Sequence, residues 1–411
     1  MYHIFYILFI FLVTENIYED SISGLNYFDE VIAIVALCYL MLPHKKYYTH
    51  SSPEKKSILC IMGVLIIGCI STLVFHIQSD FGGIWRDVIA IMKFPICYYA
   101  FLQISYKYKK KYIQKSIIKF AQVYTFCIGL IGVLNFIKPI EVFTGGYRYG
   151  MPLYHFIYSH ATFLISTLII LVSVLIANGV RKNKMPIILG IIGIILTFRS
   201  KPILIVVFIS IMLILRNKNK LHSISKKQFI IYGIIILALS LYFASSQINT
   251  YISFGESAAR GAFYIYGFNI AYTRFPLGSG FCTFASTLSH KYYSPLYFDY
   301  NMQNIWGITP DDGSYAGDTF WPNIFAQYGF IGFILYLLML FYIYKSINNR
   351  FIILSDQWIA AMSLLLYTIS AAFAESFYTN ATSVIFALVL SIYLGENSKQ
   401  TLQTDHKNLD S

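Results

Sequence analysis

Apolar runs long enough to cross about 30 Å of hydrocarbon recur along this sequence, and no other feature narrows its folding options as much. They lie near residues 1–14, 30–43, 57–76, 87–105, 117–137, 153–178, 185–198, 202–215, 228–245, 324–344, 357–374 and 380–394. With 57% of 411 residues hydrophobic and 12% charged, the chain carries more apolar surface than a water-soluble fold of this length buries. The expected fold class is an all-α polytopic membrane protein of about twelve transmembrane helices. The opening MYHIFYILFIFLV lacks a basic n-region and a small-residue cleavage site, so it reads as a short first span rather than a removed signal peptide. Pro202 restarts a helix just after Arg199 and Lys201.

A formal charge of +12 raises the question of nucleic acid, and the placement of the charges answers it. Lys45 to Lys56, Lys107 to Lys115, Arg181 to Lys184, Arg216 to Lys227, Lys345 with Arg350, and the tail occupy alternate loops. By the positive-inside rule both termini are then cytoplasmic. That side holds 22 basic and 5 acidic residues against 8 and 14 on the other, with Lys93 inside a span. The excess charge is a topology signal, and no nucleic-acid partner is expected. The chain divides into helices 1–9 (residues 1–245), a long extracytoplasmic loop (246–323), helices 10–12 (324–395) and a polar tail (396–411) that reads as disordered. Loops of this length usually carry function, and this one, rich in Tyr, Phe, Gly and Pro, is expected to pack as a cap over the helices or to lie in the interface. Of six cysteines, only Cys282 lies outside the apolar runs, which leaves no disulfide framework.

The basic residues that break the positive-inside rule need a reason to be where they are. Arg148 stands in GGYRYG, Arg199 and Lys201 in TFRSKP, and Arg260 and Arg274 flank ARGAFYIYGFNIAYTR, which reads as a helix on or in the membrane surface. Arginine near hydrocarbon costs roughly 2.5–3.5 kcal/mol, so several on one face point to an anionic ligand. A diphosphate suits guanidinium forks, which bind phosphate oxygens bidentately and stay charged. The competing reading is that they snorkel to headgroups or pair with nearby acids. Asp29-Glu30, at the outer start of the second span, offers two carboxylates that a divalent ion could take but reads mainly as favourable charge at a helix N-terminus, and Asp311-Asp312 reads as a turn. His155 and His160, five apart in the sixth span, read as packing or pore-lining residues. Trp306, Trp321 and the Tyr292, Tyr293, Tyr297 cluster are candidates for stacking on sugar rings. There is no P-loop, no G-x-S-x-G elbow and no C-x-x-C pair.

One ordered set of short motifs carries a family resemblance. Arg199 at a helix end, Arg260, then Pro276, Gly278, Gly280 and Phe284 in a P-x-G-x-G-x-x-x-F segment, then Gln327, Gly329 and Gly332 entering the next span, resemble the O-antigen ligase and polymerase superfamily. Ligases of that superfamily carry a His-Asn pair before the tenth span, where this chain has Gly317-Asp318-Thr319. In that respect, and in Arg199-Ser200-Lys201, it is more similar to the Wzy-type repeat-unit polymerases. The resemblance implies a GT-C-like architecture in the bacterial inner membrane. It also implies metal-independent glycosyl transfer, without a cofactor, from a polyprenyl-diphosphate-linked oligosaccharide to another lipid-linked unit. Membrane lipid and a chain-length regulator protein are the other partners implied. Arg199, Lys201, Arg260, Arg274 and Arg148 would bind diphosphate or glycan, and Asp318, or failing it His290, would serve as the base. A ligase of the same superfamily is the nearest alternative. A flippase is a third, disfavoured by the long loop and the lack of an evident internal repeat.

Overall fold

The computed structural model describes residues 2–18, 27–42, 50–107, 111–148, 150–199, 201–217 and 255–394. The expected ninth span and the polar tail lie outside them. The chain is mostly helical, and among the described residues four helices are long and apolar enough to cross a membrane. These are α3 (Ser52–Phe75), α4 (Phe81–Lys107), α5 (Lys111–Ile137) and the 30-residue α12 (Trp321–Arg350). Shorter apolar helices pack with them: α1 (Tyr2–Tyr18), α2 (Phe28–Met41), α6 (Ala161–Ala177), α7 (Lys184–Ile195), α8 (Lys201–Asn217), α13 (Asp356–Ala371) and α14 (Thr382–Leu394). The protein is thus membrane-embedded. Residues 153–160, expected as the start of a span, instead form part of a β-hairpin, β1 (Thr144–Arg148) with β2 (Met151–Tyr154), and a turn. Pro152 and a Tyr-, Phe- and Ile-rich run favour extended backbone there.

The main bundle contact runs along α3 and α12, which pair closely. At one end of that pair, called here the tail end, Glu54 joins the Arg350 guanidinium, which also donates to the Tyr106 hydroxyl at 2.6 Å and to the Leu394 carbonyl. Four helices are tied by one buried arginine. Arg216 and Asp356 likewise tie α8 to α13 at 2.5 Å. Each of these two arginines neutralises a carboxylate at a helix end.

At the other end, called the loop end, residues 255–320 build their own small core from Phe263, Ile270, Phe284, Leu296, Tyr297, Met302 and Ile308. Helix α9 (Ala259–Thr273) supplies one wall and lies on α12. It is a helix as the sequence predicts, with Phe268 and Tyr272 exposed and Phe263 and Ile270 buried. Two short helices follow, α10 (Thr287–Lys291) and α11 (Pro295–Asp299).

The joint between this subdomain and the bundle is a break in α12. Gly329 has φ 64° and ψ −177°, outside the helical region. Away from water the carbonyls freed by a break must find donors, and the P-x-G-x-G segment provides them. Ser279 N–H donates to Ala326 O at 2.8 Å and Gly280 N–H to Gln327 O at 2.9 Å. Helix α3 grips the segment from the other side: Ser71 Oγ donates to Leu277 O at 2.7 Å, and Thr72 Oγ1 accepts from Phe281 N–H at 2.9 Å. The backbones meet so closely that a Cβ on Gly278 would lie 2.3 Å from Gly329 N, and one on Gly329 would lie 2.4 Å from Pro276 O.

Gly329→Ala therefore carries both positive-φ strain and a backbone clash, and should lower the unfolding free energy by more than about 2 kcal/mol. Ile334→Ala, five residues on and lipid-facing, should stay within about 0.5 kcal/mol. Thermal unfolding in detergent compares the two; equal midpoints would contradict the docking described.

Candidate functional site

The segment that follows the docked glycines is held by polar side chains from the bundle. Asp87 on α4 accepts from Cys282 N–H at 2.9 Å, and Gln327 Oε1 accepts from the same N–H at 3.1 Å. Asn323 and Gln327 both donate to Phe284 O, at 3.0 and 2.9 Å. These anchors keep Cys282 and Ala285 at positive φ. Pro276, Gly278, Gly280, Phe284, Gln327 and Gly329 thus act as a scaffold that fixes the loop. Asp87 and Asn323 belong to that scaffold and were not singled out in the sequence; an acid inside an apolar run was the available signal for Asp87.

What the scaffold presents is a pairing of two candidates. Arg260, in the first turn of α9, donates to Asp318 Oδ2 at 2.8 Å. Asp318 precedes α12 by three residues and does not cap it, because the N-cap position belongs to Phe320. Its turn is pinned to the segment after α13, where Ser376 N–H donates to Gly317 O at 2.9 Å and Phe320 N–H to Ala372 O at 3.1 Å. Tyr264 adds a hydroxyl bond to Phe373 O at 2.9 Å, drawing α9 onto the same segment. The two charged side chains remain 22% and 30% exposed. A charge pair that accessible is worth about 0–1 kcal/mol, so a polyvalent anion can compete with Asp318 for the guanidinium.

Arg199 and Arg148 form a second group. The β-hairpin carries Arg148 to the end of α7, where its guanidinium donates to Phe198 O at 3.2 Å. The next residue, Arg199, meets His160 Nε2 at 3.0 Å. His160 is not inside a span: it is the N-cap of α6, and its Nδ1 faces Thr162. The sequence placed it among packing residues because the preceding strand was read as helix. Lys201 opens α8, and its side chain lies outside the described residues. Arg274 stands apart, at the far end of α9 from Arg260, over the Phe75 ring at 5.7 Å.

His290 is committed to holding the loop. Its Nε2–H donates to Thr309 O at 2.7 Å, its ring packs edge-on to Tyr293, and a Cβ on Gly313 would sit 2.4 Å from Nδ1. Nearby, the buried Tyr297 hydroxyl accepts from Ala285 N–H and bonds Ser289, and burial pushes its phenol well above the ordinary value. Asp312 closes a turn with Thr309 and accepts from Ser314 N–H, which holds its carboxyl below the ordinary value. Among the aromatic candidates Trp306 is 72% exposed and edge-on to Tyr315, whereas Trp321 is buried among Phe320, Tyr336 and Tyr378. Trp306 is available for stacking; Trp321 is core.

The stretch after α13 is tied to its neighbours on two sides. Ser166 on α6, six residues after His160, bonds Tyr367 of α13 at 2.8 Å. Gly317 docks on Ser376. Glu375 is a carboxylate on this stretch that the sequence reading passed over. Further along it, Thr379 O accepts from Lys93 at 2.8 Å, and Lys93 forms a buried ion pair with Asp29. The lysine left inside a span is thereby explained, and Asp29 is engaged by an ammonium. Among the described residues no three His, Cys, Asp or Glu side chains gather as a metal site. Compared with known proteins, the chain matches no family model and no curated sequence.

If His290 is a latch, His290→Ala should cost about 1 kcal/mol for the lost hydrogen bond and speed limited proteolysis within residues 300–316. Unchanged protease resistance would show that the Thr309 contact holds nothing.

Proposed function

We propose that the protein is a polysaccharide polymerase of the bacterial cytoplasmic membrane, joining polyprenyl-diphosphate-linked repeat units on the outer face, with both termini cytoplasmic. The product would be an O-antigen, capsule or exopolysaccharide chain. The observation that carries the reading is the contact between Arg260 and Asp318, because glycosyl transfer from a diphosphate donor needs a cation at the leaving group and a base at the acceptor. These two groups meet in one accessible place, on a loop fixed to the bundle.

In the proposed step the acceptor sugar hydroxyl attacks C1 of the donor sugar. The C1–O bond to the diphosphate breaks, polyprenyl diphosphate leaves with the bonding pair, and the hydroxyl proton passes to Asp318. Arg260 and Arg199 carry the developing charge on the leaving group, a form of preorganised electrostatic stabilisation. The guanidinium that holds Asp318 in the resting state is also the one the diphosphate requires. Donor binding would therefore exchange carboxylate for phosphate at Arg260 and release the base only when a donor is present. His160 would orient Arg199, and Arg148 would brace the backbone beside it. A chain-length regulator is the protein partner such a reaction calls for.

A deletion strain tests this on one gel of its surface glycan. Loss of a polymerase leaves lipid capped with a single repeat unit, while loss of a ligase or flippase leaves none. Arg260→Ala and Arg199→Ala should each lower polymer by about a hundredfold or more while the protein still inserts. An intact chain-length ladder in the deletion strain would refute the proposal, and normal polymer from either variant would remove that residue from the mechanism.

A further inference from the structure

The tail end of the α3–α12 pair carries a cleft of about 520 Å³ that the proposed glycan chemistry does not use. Its walls include Ser52, Lys56, Tyr342, Lys345 and Asn349. Two ammonium groups share one ring there: Lys56 Nζ and Lys345 Nζ each lie 5.9 Å from the Tyr342 centroid, and Lys345 is also 4.9 Å from that of Phe341. None of the lining residues is acidic, and Glu54 beside it is buried and engaged by Arg350. Two like charges gathered without a carboxylate raise the local potential, and an anion relieves it.

The surroundings say what kind of anion. Lys56 and Tyr342 begin a seam that runs, seven residues along each helix, to Gly63 and Leu335, where a Cβ on Gly63 would lie 2.9 Å from Leu335 Cδ1. Beside the seam stand Leu59 at 70%, Ile66 at 56%, Ile334 at 54% and Phe341 at 45% exposure, an apolar surface that faces hydrocarbon. A basic cleft thus stands at the end of an exposed apolar face. We propose that it is a binding site for an anionic diacyl phospholipid, with the phosphate between Lys56 and Lys345 and an acyl chain over the exposed Leu59, Ile66, Ile334 and Phe341 beside the seam. The aromatic ring shared by the lysines holds both ammonium groups at the depth of the headgroups.

Native mass spectrometry of the full chain, delipidated and then titrated with defined lipids, tests this. Phosphatidylglycerol should bind in preference to phosphatidylcholine. Lys56→Gln and Lys345→Gln should each weaken it about fivefold, and together about thirtyfold. Glycerol phosphate, which has the same charge without chains, should not compete at equal concentration. The arginine pair Lys56→Arg and Lys345→Arg should retain binding, which separates loss of charge from loss of fold. Equal uptake of the two lipids, or unchanged uptake by the double glutamine variant, would overturn the proposal. Full competition by glycerol phosphate would overturn the lipid assignment and leave a free-anion site.

Discussion

The break in α12 at Gly329 is the constraint on which the loop end depends. A helix interrupted in a membrane-embedded bundle leaves carbonyls that hydrocarbon cannot solvate. Here Ala326 O and Gln327 O are satisfied by the backbone of Ser279 and Gly280, so the break and the loop require each other. Ser71 and Thr72 close the joint from α3. Once it is closed, α9 lies on α12 and the turn at Gly317 docks on Ser376, which brings Arg260 to Asp318. A site made from residues 58 positions apart in sequence is set by three backbone hydrogen bonds and two hydroxyls.

Burial separates the charges by role. Lys93 with Asp29 and Arg350 with Glu54 are nearly inaccessible, at 4% and 6% and at 7% and 1%. Removing one partner of such a pair strands a charge at a cost of about 3–5 kcal/mol, which suits a structural tie. Arg260 with Asp318 is open by comparison. The energy needed to separate these two is small enough for a ligand to supply.

Much of this was legible beforehand, and the exceptions have physical causes. Long apolar runs such as 57–76 and 117–137 became helices because nothing within them competes with the helical period. The run from 153 failed as a helix up to residue 160 because apolar content alone does not distinguish strand from helix over a few residues, and Pro152 and the aromatics favoured the strand. Arg260 was legible as a candidate because it is a basic residue in a loop where the positive-inside rule disfavours one, and Asp318 through the motif resemblance of Gly317-Asp318-Thr319. Their mutual contact was not, since it depends on the docking at Gly329. His160 was missed because its role as N-cap follows from where α6 starts, and Asp87 because a lone acid in a span carries no sign of the backbone N–H it will meet. Trp321 looked like a sugar platform from composition and proved to be core, a difference decided by which face of α12 it occupies.

On the proposed mechanism, donor binding exchanges Asp318 for a diphosphate at Arg260. The most direct measurement is the affinity of the purified protein in nanodiscs for polyprenyl diphosphate, compared across wild type, Arg260→Ala and Asp318→Asn. Arg260→Ala should bind more weakly, and Asp318→Asn, which removes the competing carboxylate, should bind more tightly than wild type while making no polymer. Weaker or unchanged binding by Asp318→Asn would contradict the exchange, and unchanged binding by Arg260→Ala would contradict the site itself.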